Sequence, residues 1–135
     1  MRTKIFVDTW FFVALINKRD QYHQKALELS EEYESYPLIT TDAVFLEVGN
    51  ALSNNYKNEA VELIESFLES DDVEVIRLNT DLFDEALSLY KKHQDKSWGL
   101  VDCISFVVMK RHEITQALTF DRHFIQAGFQ ALMKQ

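Results

Sequence analysis

The chain has 135 residues, of which 47% are hydrophobic and 27% are charged. This length suits a single domain whose core needs no disulfide or metal to fold, and the apolar content excludes a disordered protein. A net charge of −8, taken alone, argues against a nucleic-acid partner, because phosphates attract basic surfaces.

The first half of the chain predicts two strands and four helices. Residues 4–7 are a short apolar run typical of a buried strand, and residues 9–17 form an apolar helix. Asp20 is a candidate cap for an amphipathic helix over residues 21–34, which Pro37 terminates. A strand over residues 38–41 follows, and Thr41 or Asp42 caps a helix over residues 43–53. Residues 58–70 form an acidic amphipathic helix. The inner faces of the helices at 21–34 and 58–70 are predicted to include Leu27, Val61 and Leu68.

The second half continues the alternation of strands and helices. Residues 73–78 predict a strand, and Asn79 or Thr80 opens a helix over residues 81–93. A loop at residues 94–97 precedes a helix over residues 98–111. Residues 116–120 and 129–133 are the last strands, joined by a turn or short helix at residues 121–127. Strands alternating with helices predict an α/β fold with a mainly parallel sheet, and we expect one domain over residues 1–135.

Cysteine content and the amino terminus predict a cytoplasmic protein that does not enter a membrane. A single cysteine, Cys103, allows no internal disulfide, which fits a reducing compartment. Basic residues and then an apolar stretch at the amino terminus imitate a signal peptide. Asp8 interrupts that stretch, however, and its longest apolar run, residues 10–16, is too short to span a bilayer.

Four acidic residues occupy positions where a carboxylate needs an explanation. Asp8 and Asp121 follow predicted strands, where parallel α/β sheets bind ligands, and Glu47 and Asp102 lie in otherwise apolar helices. An ionised carboxylate among apolar side chains is costly unless it is paired or bound to a cation. The four acids therefore predict a shared site for Mg²⁺ or Mn²⁺, which prefer oxygen ligands.

Each of these acids also has a simpler structural interpretation. Asp8 and Asp121 could cap the helices that follow them. Glu47 could lie on an exposed edge of its helix, and Asp102 could be a first-turn residue favoured by the helix dipole.

The four motifs, in this order along the chain, resemble those of the PIN-domain family, of the kind found as VapC-type toxins of bacterial toxin–antitoxin pairs. The resemblance rests on Asp8-Thr9 after the first strand, on Leu-Glu-Val-Gly-Asn around Glu47, on Leu-Val-Asp-Cys-Ile-Ser around Asp102, and on Leu-Thr-Phe-Asp-Arg-His-Phe around Asp121. It implies a three-layer α/β/α sandwich on a parallel sheet of four to five strands. It also implies metal-dependent cleavage of RNA by these four acids, a cognate antitoxin protein and a homodimer.

The cluster suggests a role for each residue. Asp8 and Asp102 are the candidate direct metal ligands. Glu47 could ligate the metal or orient the attacking water, and Asp121 would support the position of a second metal ion. Thr9, Ser105 and Thr119 could hold the carboxylates by hydrogen bonds. The hydroxyl of Ser105 could equally bond back to its own helix.

Residues that could contact RNA concentrate in the last third of the chain. Residues 1–90 carry 18 acidic and 7 basic residues, whereas residues 91–135 carry 4 acidic and 7 basic ones. Trp10, Phe11 and Trp98 could stack on bases, or they could pack in the core or in a dimer contact. Of the four histidines, only His123, two residues after Asp121, is a candidate for a role at the site. The basic candidates for phosphate contacts are Lys91, Lys92, Lys96, Lys110, Arg111 and Arg122.

Other acid-site α/β classes fit the sequence less well. A receiver domain needs a pair of acids after its first strand, and a dehalogenase-type phosphatase needs an aspartate at position 10, which is Trp10. Neither a glycine-rich phosphate loop nor a serine nucleophile elbow occurs. The remaining alternative is a catalytically silent PIN-fold module that binds RNA or a protein.

Overall fold

The computed structural model describes residues 2–134, which form five strands and seven helices. The strands are β1 (Ile5–Val7), β2 (Leu38–Thr41), β3 (Val73–Ile76), β4 (Gln116–Leu118) and β5 (Gln130–Ala131). The helices are α1 (Thr9–Ile16), α2 (His23–Glu32), α3 (Asp42–Ala51), α4 (Lys57–Glu69), α5 (Thr80–Lys92), α6 (Leu100–Arg111) and α7 (Arg122–Gln126).

The strands form one parallel sheet in the order β3-β2-β1-β4-β5. The chain moves outward from β1 through β2 to β3 and then returns to the other side of β1 with β4. The strand order therefore reverses between β1 and β4, and a crevice opens at the carboxyl ends of two such strands. The predicted α/β/α sandwich on a parallel sheet is confirmed.

The core is apolar on both sides of the sheet because its strands carry almost continuous apolar runs. All three residues of β1 are fully buried. The ring of Phe6 lies 6.3 Å from that of Phe124 in α7, which in turn meets Phe106 of α6 edge to face at 5.0 Å. These contacts fix α6 and α7 against β1.

Caps and a turn set the ends of several elements. Thr41 accepts a hydrogen bond from the Val44 amide at the start of α3, and Asn79 accepts one from the Leu82 amide at the start of α5. Gly128, after α7, has φ +97°, a conformation that side chains rarely adopt. Within residues 2–134, no helix combines the length and the apolar content needed to cross a bilayer.

Three expectations for helix faces are wrong. Leu27 is 40% exposed, Val61 49% and Leu68 41%. On α4 the side that packs inward carries Ala60, Leu63, Ile64 and Phe67. These positions form a stripe along one side of the helix, and Val61 and Leu68 lie at the border of that stripe.

Candidate functional site

Asp8 is the buried centre of the candidate site. It directly follows β1, and its amide donates to the carbonyl of Leu118 on β4 at 3.2 Å, which places it at the point where the strand order reverses. The side chain accepts a hydrogen bond from the Thr119 hydroxyl at 2.8 Å. Burial raises the pKa of Asp8 to about 7, and the charges of Asp102 and Asp121 add to the effect, while the Thr119 bond opposes it.

Glu47 reaches the site from α3. Its Oε1 accepts a hydrogen bond from the Thr9 hydroxyl at 2.6 Å, which joins the first residue of α1 to the middle of α3. The side chain as a whole is exposed, as one structural interpretation expected. Desolvation of its carboxylate nevertheless raises the pKa of Glu47, and the charges of Asp102 and Asp121 raise it further.

Asp102 lies in the first turn of α6, where a carboxylate also stabilises the helix start. Its Oδ2 accepts from the Gly99 amide and from Nδ1 of His123, both at 3.0 Å. Burial is the main cause that raises the pKa of Asp102. The charge of Asp121 raises it as well, whereas the bonds from Gly99 and His123 lower it.

Asp121 combines two roles. As one interpretation expected, it caps a helix, since its Oδ1 accepts from the His123 amide at 2.9 Å at the start of α7. Its own amide donates to the Thr119 hydroxyl at 3.0 Å. The same hydroxyl donates to Asp8, so Thr119 bridges Asp8 and the backbone of Asp121.

His123 joins the acids more closely than the sequence indicated. Asp102, Asp121 and His123 each offer one potential metal-ligand atom, and these three atoms lie within 4.8 Å of one another. Because an ionised carboxylate can only accept, Nδ1 of His123 donates to Asp102, and in the neutral imidazole Nε2 accepts from the Ser97 hydroxyl at 3.1 Å. The available sequence signal was its position two residues after Asp121.

Nearby cations do not balance the four carboxylates. Among residues 2–134, no lysine or arginine forms an ion pair with Asp8, Glu47, Asp102 or Asp121. The imidazole of His123 lies 3.0 Å from Asp102 and 3.4 Å from Asp121. Acids elsewhere do have such partners, for example Glu74 with Lys4 and Glu85 with Arg111. Carboxylate oxygens that face one another without a fixed cation are a donor set that fits a hard divalent metal ion.

The other predicted residues differ in their burial. The Ser105 side chain is fully buried, and its hydroxyl has no hydrogen-bond partner in the described part of the chain. Phe11 packs in the core, while Trp10 is 42% exposed beside Thr9. All six basic candidates are exposed, and Arg111 is paired with Glu85.

Comparisons with known proteins identify similar chains. The PIN domain family model matches residues 5–130. The 23S rRNA-specific endonuclease VapC20 of Mycobacterium tuberculosis is 32% identical over 127 residues, which cover 93% of this chain and 95% of that protein. The crystal structure of VapC20, described as a sarcin–ricin loop cleaving toxin, superposes with a TM-score of 0.82 at 31% identity, over 93% of this chain and 95% of that one. FitAcB from Neisseria gonorrhoeae shares the fold, with a TM-score of 0.61 at 14% identity over 94% of each chain.

Proposed function

The chain belongs to the PIN-domain family, and from that premise we propose that it is an endoribonuclease that hydrolyses RNA phosphodiester bonds with Mg²⁺ or Mn²⁺. The observation that carries the proposal is the group of Asp102, Asp121 and His123, whose potential ligand atoms lie within 4.8 Å of one another beside the switch point of the sheet. The charges of Asp102 and Asp121 also raise the pKa of Asp8 and Glu47, and none of the four acids is paired with lysine or arginine within residues 2–134. We take residues 1–135 as a single PIN-like domain.

Asp8, Glu47, Asp102 and Asp121 would hold the metal. When bound, the divalent ion would supply a water of lowered pKa and neutralise charge on the phosphate. Asp8 and Asp102 are the proposed direct ligands, because burial raises the pKa of both carboxyl groups and an ionised carboxylate there needs a cation. Glu47, on the exposed side, would orient the attacking water, and Asp121 would support a second metal position.

The hydroxyl groups around the site orient these carboxylates. Thr119 donates a hydrogen bond to Oδ2 of Asp8. Thr9 does the same for Glu47. His123 holds Asp102 through Nδ1, so each of these three acids has one oxygen anchored by a neutral or cationic donor.

The likeness to VapC20 supports ribosomal RNA as the substrate class and a toxin role. On the same ground we propose a cognate antitoxin protein, a homodimer and a cytoplasmic location. An exposed apolar pair supports a protein contact beside the site: Trp10 is 42% and Leu46 69% exposed, and they adjoin Thr9 and Glu47, which are hydrogen-bonded to each other.

The experiment is a cleavage assay on purified ribosomes and on a synthetic sarcin–ricin stem-loop. Wild type with Mn²⁺ or Mg²⁺ should cut, and chelator, Asp8→Asn or Asp102→Asn should abolish cutting. Glu62→Gln on the exposed face of α4 is the matched control with the same loss of one charge. Cleavage that persists in both aspartate variants would contradict the metal site. RNA or protein binding without any cleavage by wild type would favour the silent binding module.

A further inference from the structure

A second concave surface lies beside the acidic site, between the carboxyl end of α5 and the segment that leads into α6. We call it the α5–α6 cleft. It has a volume of about 690 Å³, and among its lining residues are Tyr90, Lys91, Lys96, Ser97 and Trp98. Sites for small molecules and nucleotides commonly have volumes of roughly 300–1,000 Å³, so the cleft is large enough for a nucleotide.

The charge of the cleft is opposite to that of the whole protein. The chain carries −8, yet none of the described residues that line the cleft is acidic, and two of them are lysines. Both lysines are exposed. Lys96 contacts the neighbouring Asp95 at 3.3 Å, whereas Lys91 forms no ion pair within residues 2–134. A cationic hollow on an acidic protein favours an anionic ligand.

An exposed aromatic residue and a buried one flank these lysines. Tyr90 is 45% exposed. Trp98 is 8% exposed and is held by a hydrogen bond from Nε1 to Gln126 at 3.0 Å and by an edge contact with Phe106 at 5.1 Å. Basic side chains interleaved with aromatic rings are the combination that binds single-stranded nucleic acid, through phosphate contacts and base stacking.

Two hydrogen bonds connect the cleft to the proposed metal site. Ser97, on the cleft wall, bonds to Nε2 of His123 at 3.1 Å, and Nδ1 of the same ring bonds to Asp102 at 3.0 Å. One imidazole ring therefore separates the cleft from a proposed metal ligand. An RNA strand with its scissile phosphate at Asp102 would need a surface for the neighbouring nucleotides. The cleft begins one imidazole ring away from Asp102 and could provide that surface.

We propose that the α5–α6 cleft is the subsite for the RNA nucleotides next to the scissile phosphate. Lys91 and Lys96 contact phosphates there, and Tyr90 stacks on a base. The inference rests on the proposed endoribonuclease activity and deepens it. Of the six basic candidates, it selects Lys91 and Lys96, which line the α5–α6 cleft, and it excludes Arg111, which does not line it.

The test measures steady-state cleavage of a sarcin–ricin stem-loop by Lys91→Glu, Lys96→Glu and Tyr90→Ala. These residues are proposed to bind substrate without touching the reacting atoms. Each variant should therefore raise KM about tenfold with little change in kcat. Each lysine variant should also flatten the slope of log KM against log salt by about 0.7, which is the effect of one lost single-strand phosphate contact. Tyr90→Phe, which keeps the ring, should retain wild-type KM.

Lys57→Glu is the matched control, because Lys57 is exposed at the start of α4 and lies outside the cleft. The same assays on stem-loops shortened on either side of the mapped cut give a second control. The penalty of Lys91→Glu should disappear once the nucleotides that reach the cleft are missing. A penalty that is independent of RNA length would contradict the subsite.

The outcomes separate this inference from the proposed function. Wild type that neither binds nor cuts RNA would overturn the function and the subsite together. Wild type that cuts RNA, with cleft variants no weaker than Lys57→Glu, would overturn the subsite alone. Sedimentation of the RNA-free variants supplies a third result: loss of a wild-type dimer in Tyr90→Ala and Lys91→Glu would assign the cleft to contact between two copies of the chain instead.

Discussion

Two groups of carboxylates in this chain have the same chemistry and opposite surroundings. The glutamates of α4 are all exposed and lie along one helix face: Glu59, Glu62, Glu65 and Glu69. The acids of the candidate site converge on Asp8, which is 3% exposed. Water stabilises the charges of the first group at little cost. The acids of the second group must either be protonated or, when they are ionised, be neutralised by a cation. The same residue type therefore carries surface charge in one region and chemistry in the other.

This contrast changes the meaning of the net charge. Without the four site acids the chain has 18 acidic and 14 basic residues, or −4 instead of −8. Much of the remaining negative charge lies on exposed helix faces, while the α5–α6 cleft carries two lysines and no described acid. An acidic total is thus compatible with RNA as a substrate.

The largest expected difference between the two groups is in activity. Asp8→Asn should reduce RNA cleavage by at least about 10³-fold, because it removes the buried charge that the metal needs. Glu62→Gln, with the same loss of one charge on α4, should stay within twofold of wild type. Single-turnover cleavage at saturating Mn²⁺ measures both. Equal effects of the two substitutions would contradict the distinction between the acids of the candidate site and the exposed glutamates of α4.

The next effect concerns pH and the protein without metal. Because the pKa of Asp8 is raised from 3.8 to about 7, the folded protein binds more protons than the unfolded chain between these values. Its free energy of unfolding therefore falls as pH rises through this range. In chelator at pH 8, Asp8→Asn should be more stable than wild type by about 4 kcal/mol, and near pH 4 the two should be nearly equal. Urea unfolding at both pH values checks the sign.

The same protonation should govern metal binding and cleavage. A metal ion competes with the proton on Asp8, so Mn²⁺ affinity and the cleavage rate should both rise with pH through about 7. Calorimetric titration of the RNA-free protein with Mn²⁺ follows the affinity, and Glu62→Gln should show the same profile as wild type. An affinity that is constant from pH 5 to 8 would contradict a buried carboxylate ligand.

A smaller effect is expected from the hydroxyl that serves Asp8. The hydrogen bond from Thr119 lowers the pKa of Asp8. Thr119→Val should therefore raise that pKa further and shift the pH–rate profile to higher pH. Cleavage at pH 7 should fall about tenfold and recover at higher pH, and Thr119→Ser should behave as wild type. A pH-independent loss would indicate that Thr119 is merely structural.

The sequence predicted the sheet and the acids because both depend on local signals. Apolar runs mark buried strands, and Asp8 and Asp121 follow two of them, so the α/β fold and the position of these two acids beside the switch point could be predicted from order along the chain. The shared site of all four acids stays a prediction. Helix faces were harder, because α4 carries more apolar residues than its narrow contact can bury, and Val61 and Leu68 remain exposed.

Contacts between distant segments were beyond the reach of local patterns. The Ser97–His123–Asp102 connection joins a loop, α7 and α6, and it depends on how the helices pack and not on residue spacing. The α5–α6 cleft has the same origin, since it forms from the end of α5 and the loop that follows. Lys91 and Lys96 were identified as candidates from the charge of their segment, but their shared cleft required the tertiary structure.

The smallest expected effect distinguishes hydroxyls that serve the site from one that does not. Ser105 is one helical turn beyond Asp102, yet its buried hydroxyl has no partner within residues 2–134, unlike that of Thr119. Because an unpaired buried hydroxyl contributes no hydrogen bond and retains its desolvation cost, Ser105→Ala should change the free energy of unfolding by less than about 1 kcal/mol. Cleavage should stay within twofold of wild type, measured beside Thr119→Val under the same conditions. A tenfold loss in Ser105→Ala would mean that this hydroxyl holds a carboxylate after all and belongs with Thr9 and Thr119.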